Sequence, residues 1–275
     1  MGRKVAFLGG GKMGEALVSG LIRSAGRKEN ELMVTARRGK RANELADRYG
    51  IEATLSNPEA VEWADTLVLT VKPQDMDELL GQIKDTVTKD KFVITFAAGI
   101  RSSFVEAPLP EGTPVVRVMS NVPVLVDEAM SVIGAGSHAD DEHLAYAEEL
   151  LTNVGRVIRL PEKHLDAITA TSGSGPAYFF LLAEAMIDAC ILLGLSRDVA
   201  TELIVQTMLG SAKMLRDTGK HPVILREMVT SPGGTTIAAI RELEQAGIRA
   251  AFLNAIQAAN DRSVELAKGA EARDE

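Results

Sequence analysis

The chain has 275 residues, 46% hydrophobic and 25% charged, an ordinary balance for a globular protein long enough to form two domains around sizeable cores. With 30 Lys plus Arg against 38 Asp plus Glu, the formal charge of -8 argues against a general affinity for nucleic acid or for an anionic membrane, so any basic site must be local. The single cysteine, Cys190, has no partner for an internal disulfide and is expected to be a small buried hydrophobe in a reducing cytoplasm.

Lys4-Val5-Ala6-Phe7-Leu8 reads as a buried strand, which leaves no room for an export signal before it. Gly9-Gly10-Gly11-Lys12-Met13-Gly14 follows, and then an amphipathic run over residues 15–22. Strand, G-x-G-x-x-G and helix in that order predict a dinucleotide site. Gly9 allows the tight turn, Gly11 lets a pyrophosphate approach the backbone, and Gly14 lets the helix pack on the strand. A structural turn is the plainer alternative. The second strand, ending Thr35-Ala36, leads into Arg37-Arg38-Gly39-Lys40-Arg41. An NAD site commonly has an acid here for the ribose diol. Four cations in five residues instead suit a ribose 2′-phosphate, so NADPH is expected, with NADH second.

Strands and helices keep alternating. A short third strand spans residues 52–55, with Asn57 after it as an adenosine contact or a helix cap. Strands over residues 65–71 and 92–97 end in the turns Thr70-Val71-Lys72-Pro73 and Phe96-Ala97-Ala98-Gly99, and a helix is expected over residues 73–84 between them. In open α/β sheets ligands cross the carboxyl ends of the strands, so both turns are expected along the nicotinamide half of the cofactor. A sixth strand, residues 115–119, is followed by Asn121, either a nicotinamide or substrate contact or a turn residue bonded to its own backbone. Strand-like runs at residues 130–133 and 156–160 flank a helix pattern over residues 140–151. The fold class expected is α/β, an N-terminal Rossmann-like, doubly wound, mostly parallel sheet over residues 1–161. An all-helical dimerisation and substrate domain over residues 162–275 should follow, closing in a frayed acidic tail at residues 271–275.

Within the helical part, residues 177–195 are almost wholly apolar, interrupted by Glu184 and Asp188 on one face. A lipid span would carry neither acid cheaply, so a helix buried on most sides, more easily covered with a second subunit's help, is expected in place of a membrane span. Ser172-Gly173-Ser174-Gly175-Pro176 lacks the strand and base of a nucleophile elbow and reads as a helix entrance. Val229-Thr230-Ser231-Pro232-Gly233-Gly234-Thr235-Thr236 reads as a second anion cradle: a Ser cap, Pro at the first helical position, and bare amides at Gly233, Gly234 and Thr235. An interhelical turn built from good turn residues is the alternative. The four histidines fall in no metal-ligand spacing, and no metal is expected. A cofactor domain without an obvious acid or base suits hydride transfer, where the cofactor supplies the difficult step.

Residues 7–14, Val71-Lys72-Pro73, Ala97-Ala98-Gly99, residues 119–123, 172–178 and 229–236 together resemble the pyrroline-5-carboxylate reductases, over essentially the whole chain. One departure is Ser120, where that family commonly has proline. The resemblance implies reduction of 1-pyrroline-5-carboxylate to L-proline, a homodimer with interleaved helical domains, and in some members a higher oligomer. It also implies an active site between one subunit's nucleotide domain and its partner's Ser-Pro-Gly-Gly loop. The cofactor contacts expected are Leu8, Gly9, Gly10, Gly11, Lys12, Met13, Gly14, Ala36, Arg37, Arg38, Asn57, Thr70, Val71, Lys72, Pro73, Ala97, Ala98 and Gly99. The substrate contacts expected are Asn121, Val122, Ser231, Gly233, Gly234, Thr235 and Thr236, with the Thr236 hydroxyl bonding the ring nitrogen. Rival expectations are a reductase of another cyclic imine, a β-hydroxyacid-dehydrogenase-like enzyme, and a non-catalytic NADP-binding relative.

Overall fold

In a computed structural model the chain is described over residues 4–24 and 28–271, so residues 272–275 of the expected tail lie outside the described residues. The first part alternates β1 Val5–Leu8, α1 Lys12–Ser24, β2 Leu32–Thr35, α2 Gly39–Tyr49, β3 Glu52–Thr54, α3 Asn57–Trp63, β4 Thr66–Leu69, α4 Met76–Ile83, β5 Phe92–Thr95, α5 Ser102–Glu106 and β6 Val115–Met119. It ends with β7 Ala129–Ala135, α6 Asp141–Thr152 and β8 Gly155–Arg159. The strands form one sheet in the order β3-β2-β1-β4-β5-β6-β7-β8, parallel except where β7 runs against β6.

The sheet is covered on both faces, and successive strand residues go to opposite sides. Val5, Phe7, Val34, Ile94 and Val118 pack with Leu17 and Leu21 of α1, Leu45 of α2 and Leu150 of α6. Ala6, Leu8, Met33, Leu67 and Val93 pack with Val61 of α3, Leu80 and Ile83 of α4, and Val105 of α5. Burial on both faces is why these strands are continuous apolar runs in the sequence. β1 lies between β2 and β4, so the chain leaves it in opposite directions on its two sides, and the carboxyl end of β1 opens into a crevice. The helix expected over residues 73–84 opens as a 3-10 turn, Pro73–Asp75, and continues as α4; Lys72 before the proline is extended, which fixes where it begins.

From residue 162 the described chain is helical: α7 Leu165–Ile168, α8 Gly175–Leu192, α9 Arg197–Thr218, α10 Pro222–Met228, α11 Thr235–Gln245 and α12 Ile248–Glu271, with short 3-10 and π turns between. Residues 172–176 lead into α8 with Pro176 in its first turn, as expected, but not from a loop. They sit at a widened turn where the Ser174 N–H donates to the Thr169 carbonyl, five residues back, at 2.8 Å. The proline is the reason: Pro176 has no N–H for the Ser172 carbonyl, which accepts instead from Asn121 Nδ2 at 3.0 Å.

The chain forms two compact units, one of the residues up to Ser174 together with those from Ala259 onward, the other Gly175–Ala258. The end of α12 therefore belongs with the sheet. Ser263 Oγ donates to Asp166 at 3.1 Å, and a Cβ on Gly99 would stand 3.4 Å from Leu266. Beneath them Arg117, 3% exposed, pairs with Glu162 at 3.4 Å and Asp166 at 3.5 Å, so its buried charge is met from two sides.

In the second unit α8 packs along α9, but apolar residues encircle α8 and one neighbour covers only one side. Phe179, Phe180 and Leu181 are 60%, 64% and 66% exposed, so the expected burial on most sides is not achieved within one chain. Among the described residues one helical stretch, Glu162–Leu192, is long and apolar enough to cross a membrane by length and composition. It carries the exposed Glu184 and Asp188, the latter paired with Arg197 at 3.4 Å. Cys190 is free, as expected, but half-buried.

Candidate functional site

The glycine loop after β1 is fastened from three directions. The Gly9 N–H donates to Thr35 Oγ1 at 3.1 Å and the Gly10 N–H to the Thr35 carbonyl at 2.6 Å, while Thr70 Oγ1 donates to the Gly9 carbonyl at 2.8 Å. Gly9 has φ +120°, which only glycine adopts without strain. A Cβ on Gly14 would overlap the Gly9 carbonyl oxygen, and one on Gly10 would stand 2.7 Å from Leu45 Cδ1. Gly11 differs, since a Cβ there would meet nothing within 4 Å. The first bond of the α1 ladder is Glu15 N–H to the Gly11 carbonyl at 3.0 Å, so the amides from Gly11 to Gly14 precede it. Because Gly9 and Gly10 spend their amides on Thr35, the donors left for an anion belong to the helix start.

Beside this loop lies a cleft of about 820 Å³ at the carboxyl ends of the strands, large enough for a dinucleotide. It brings together Gly9, Gly10, Gly11, Ala36, Arg37, Arg38, Asn57, Thr70, Val71 and Lys72 of the expected cofactor set. Its lining does not include Leu8, Lys12, Met13, Gly14, Pro73, Ala97, Ala98 or Gly99. Leu8 and Ala97 are core residues, Gly14 packs on Gly9, and Gly99 faces α12. Asn57 is not a cap: Ser56 caps α3, and Asn57 Nδ2 donates to Gln82 at 2.7 Å.

The four cations after β2 are not equivalent. Arg41 donates from Nε to the Gly10 carbonyl at 2.9 Å and pairs with Glu15 and with Glu44, so it braces the glycine loop and is not left free for a phosphate. Glu15 also accepts from Arg48 at 3.0 Å and from the Tyr49 hydroxyl at 2.9 Å. Burial alone would raise the Glu15 carboxyl, but the bonds from Arg41 and Tyr49 and the charges of Arg41 and Arg48 outweigh it and hold it below the ordinary value. Arg37, Arg38 and Lys40 remain on the lining with Asp75, which pairs with Arg37 at 3.6 Å. Arg41, one of the four cations expected at the ribose phosphate, is thus corrected to a brace of the loop, and a basic residue in the first turn of a helix, where the dipole disfavours it, is its one visible signal; Thr35, Glu15, Asp75 and Gln82 carry no such signal in the sequence.

Asn121, half of an expected substrate contact, has its amide engaged on both sides, Nδ2 to Ser172 as above and Oδ1 accepting from the Met130 N–H at 2.9 Å. Ser120, in place of the common proline, accepts from Ser131 Oγ at 2.9 Å. Val122 opens an apolar 3-10 turn and is 54% exposed.

In the second unit Ser231-Pro232-Gly233-Gly234 is a β-turn rather than a cap. The Gly234 N–H donates to the Ser231 carbonyl at 3.1 Å, and Gly233 has φ +66° after the proline, as a type II turn requires. Helix α11 starts only at Thr235 with Gly234 as its cap, which makes no side-chain bond. The Gly234 amide is therefore used by the turn. The first ladder bond of α11 is Ala238 N–H to the Gly234 carbonyl at 3.4 Å, which leaves the amides of Thr235, Thr236 and Ile237 ahead of it.

Residues 162–266 match the family model for pyrroline-5-carboxylate reductase dimerisation, and residues 4–99 that for NADP oxidoreductase, coenzyme F420-dependent. The pyrroline-5-carboxylate reductase of Corynebacterium melassecola is 47% identical, covering 96% of this chain and 98% of that one. The chain belongs to the pyrroline-5-carboxylate reductase family. The Arabidopsis thaliana member is 38% identical, with 96% of each chain covered. The Coxiella burnetii reductase structure superposes with a TM-score of 0.89 at 36% identity, covering 97% of this chain and 99% of that one. The Plasmodium falciparum reductase, solved with NADP bound, gives 0.88 at 29% identity, covering 96% and 98%. Structures of prephenate dehydrogenase from Aquifex aeolicus, at 14% identity and a TM-score of 0.55, share the fold only.

Against that background the cleft fits a dinucleotide phosphate on its own geometry. The open side of Gly11 leaves room for a phosphate beside uncommitted amides, and three cations stand on the lining where β2 ends.

Proposed function

We propose that this reductase reduces 1-pyrroline-5-carboxylate to L-proline with NAD(P)H, using two helix starts for two anions. The observation that carries the cofactor half is the union, in one cleft at the β1 switch point, of the bare Gly11 backbone with Arg37, Arg38 and Lys40. NAD(P)H when bound supplies the hydride. The amides from Gly11 to Gly14 bind its pyrophosphate, Arg37 and Arg38 its 2′-phosphate, and Asn57 its adenosine. Thr70, Val71, Lys72 and Pro73, with Ala97, Ala98 and Gly99 from the next strand end, flank its nicotinamide half.

The amides of Thr235 and Thr236, with the Ser231 hydroxyl and the bare Gly233-Gly234 turn, hold the substrate carboxylate, and Asn121 and Val122 contact the ring. Hydride addition to the carbon of the C=N bond, with the proton held on nitrogen, yields the secondary amine. Thr236 donates a hydrogen bond to that nitrogen, and fixed orientation supplies most of the acceleration. Residues 1–161 serve the cofactor and residues 162–275 serve the substrate and dimerisation. The exposed face of α8 supports a dimer whose helical domains interleave, so that one subunit's turn meets its partner's cofactor, and dimers of this kind assemble further in a cytoplasmic enzyme.

The test is steady-state oxidation of NADPH with the five-membered imine beside open-chain ketoacids and a six-membered imine, where preference for the first is expected. Thr236→Ala should lower kcat/KM by about one to three orders of magnitude while NADPH affinity stays. Unchanged turnover removes Thr236 from the mechanism.

A further inference from the structure

Asp75 ends the 3-10 turn Pro73–Asp75 that runs directly into α4, and its carboxylate makes no bond to the helix start. It reaches instead to Arg37, Oδ1 to Nη1 at 3.6 Å, and the two share the cleft lining with Arg38 and Lys40. The Arg37 side chain is 81% exposed and that of Asp75 only 26%, so the acid is the fixed partner and the guanidinium the adjustable one. A carboxylate there has the wrong sign for a ribose phosphate. It engages the arginine the phosphate needs and repels the phosphate itself, whereas a ribose with two free hydroxyls meets no repulsion and can donate to it.

We infer that Asp75 determines cofactor specificity in this chain, restraining the preference for NADPH so that NADH is also accepted. The inference rests on the cofactor reading above and adds an acid to the cations that reading uses. Other negative charge on the same wall comes from Glu78, one turn along α4, and from Glu44, which Arg41 neutralises.

The test is fluorescence titration of the full chain with NADPH, NADH and adenosine 2′,5′-bisphosphate, before and after Asp75→Asn. Exposed ion pairs move an equilibrium by up to about fivefold, so the Kd for NADPH and for the bisphosphate should fall by about two- to fivefold while that for NADH stays or rises. The gain should shrink in high salt. Asp77→Asn removes the same charge two residues away, off the cleft lining, and should leave the ratio of the two affinities unmoved. An unchanged ratio in Asp75→Asn, weaker NADPH binding, or an equal shift in Asp77→Asn overturns the inference and leaves the cofactor reading standing. An unaltered protein that binds neither dinucleotide overturns both.

Discussion

Replacing Gly14 or Gly11 by alanine should damage this reductase in two different ways, although the two glycines belong to one loop. On Gly14 the new methyl overlaps the Gly9 carbonyl oxygen and stands 2.9 Å from Thr70 Oγ1, and those two atoms are already bonded to each other at 2.8 Å. Neither yields without moving α1 off the end of β1. Overpacking of this kind costs about 1–3 kcal/mol, against roughly 0.5–1 kcal/mol regained from alanine's better helix propensity. A net loss of about 1–2 kcal/mol lowers Tm by about 2–8 °C in a domain of this size, with no cofactor present. On Gly11 the methyl meets no protein atom within 4 Å, so the apo Tm should stay, but it enters the space from which a phosphate reaches the amides. The same 1–3 kcal/mol then appears as an increase in the NADPH Kd of about five- to 150-fold. Thermal melts with and without NADPH read both, because saturation near 100 Kd adds about 2.7 kcal/mol to the unaltered protein and should add much less to Gly11→Ala. Wild-type NADPH affinity in Gly11→Ala, or an apo Tm falling as far as in Gly14→Ala, would refute the division between packing glycine and ligand glycine.

Two further outcomes are expected. The Glu15 carboxyl is held below the ordinary 4.5, so the stability it contributes is present above that pH and is lost as pH falls through its lower folded value. Glu15→Gln should therefore be less stable than the unaltered protein at neutral pH, with the gap in denaturation midpoint closing in acid; a gap that widens in acid contradicts the assignment. It should also weaken NADPH and NADH alike, because Arg41 braces the loop under both. Leu181→Glu puts a charge on the exposed apolar face of α8, twice in a symmetric dimer, where each lost leucine alone is worth about 1.5–3 kcal/mol of burial. Light scattering should show a monomer, and retention of the dimer with full activity would place the interface elsewhere.

What the sequence disclosed follows from how each feature is coded. Val5 to Leu8 and Thr66 to Leu69 are buried on both faces, so the strands and their order of alternation with helices are plain in the residues themselves. The glycine loop is equally plain because its requirements are local. Arg41 was not, because Arg37, Arg38, Lys40 and Arg41 are chemically alike in a row and only the packing of α1 beside α2 brings Glu15 to one of them. Thr35 is hidden for the same reason: a threonine ending a strand is ordinary, and its bond to Gly9 spans 26 residues. In the Ser-Pro-Gly-Gly stretch the helix starts one turn later than the residue types suggest, since those that cap a helix also build a type II turn, and the Gly233 backbone decides between them.

A pattern in the helix starts ties these cases together. Four helices close their own first turns: Ser56 on α3, Asp140 on α6, Ser196 on α9 and His221 on α10 all accept a backbone N–H. No side-chain bond is made by the cap residues Arg38 and Gly234, which precede α2 and α11. Arg38 lines the cleft, and Gly234 opens the cradle proposed for the substrate carboxylate. Other uncapped starts have other causes: the first amide of α5, at Ser102, is taken by Glu162 at 2.7 Å from far along the chain, and α4 and α7 continue directly from 3-10 turns. Exposed helix donors left to water cost little, but donors kept bare beside cations cost stability that a serine or aspartate would restore by about 1 kcal/mol each. That the chain leaves Arg38 and Gly234 at such positions, while side chains cap α3, α6, α9 and α10, is the expected cost of presenting backbone amides to an anion that arrives only when the enzyme works.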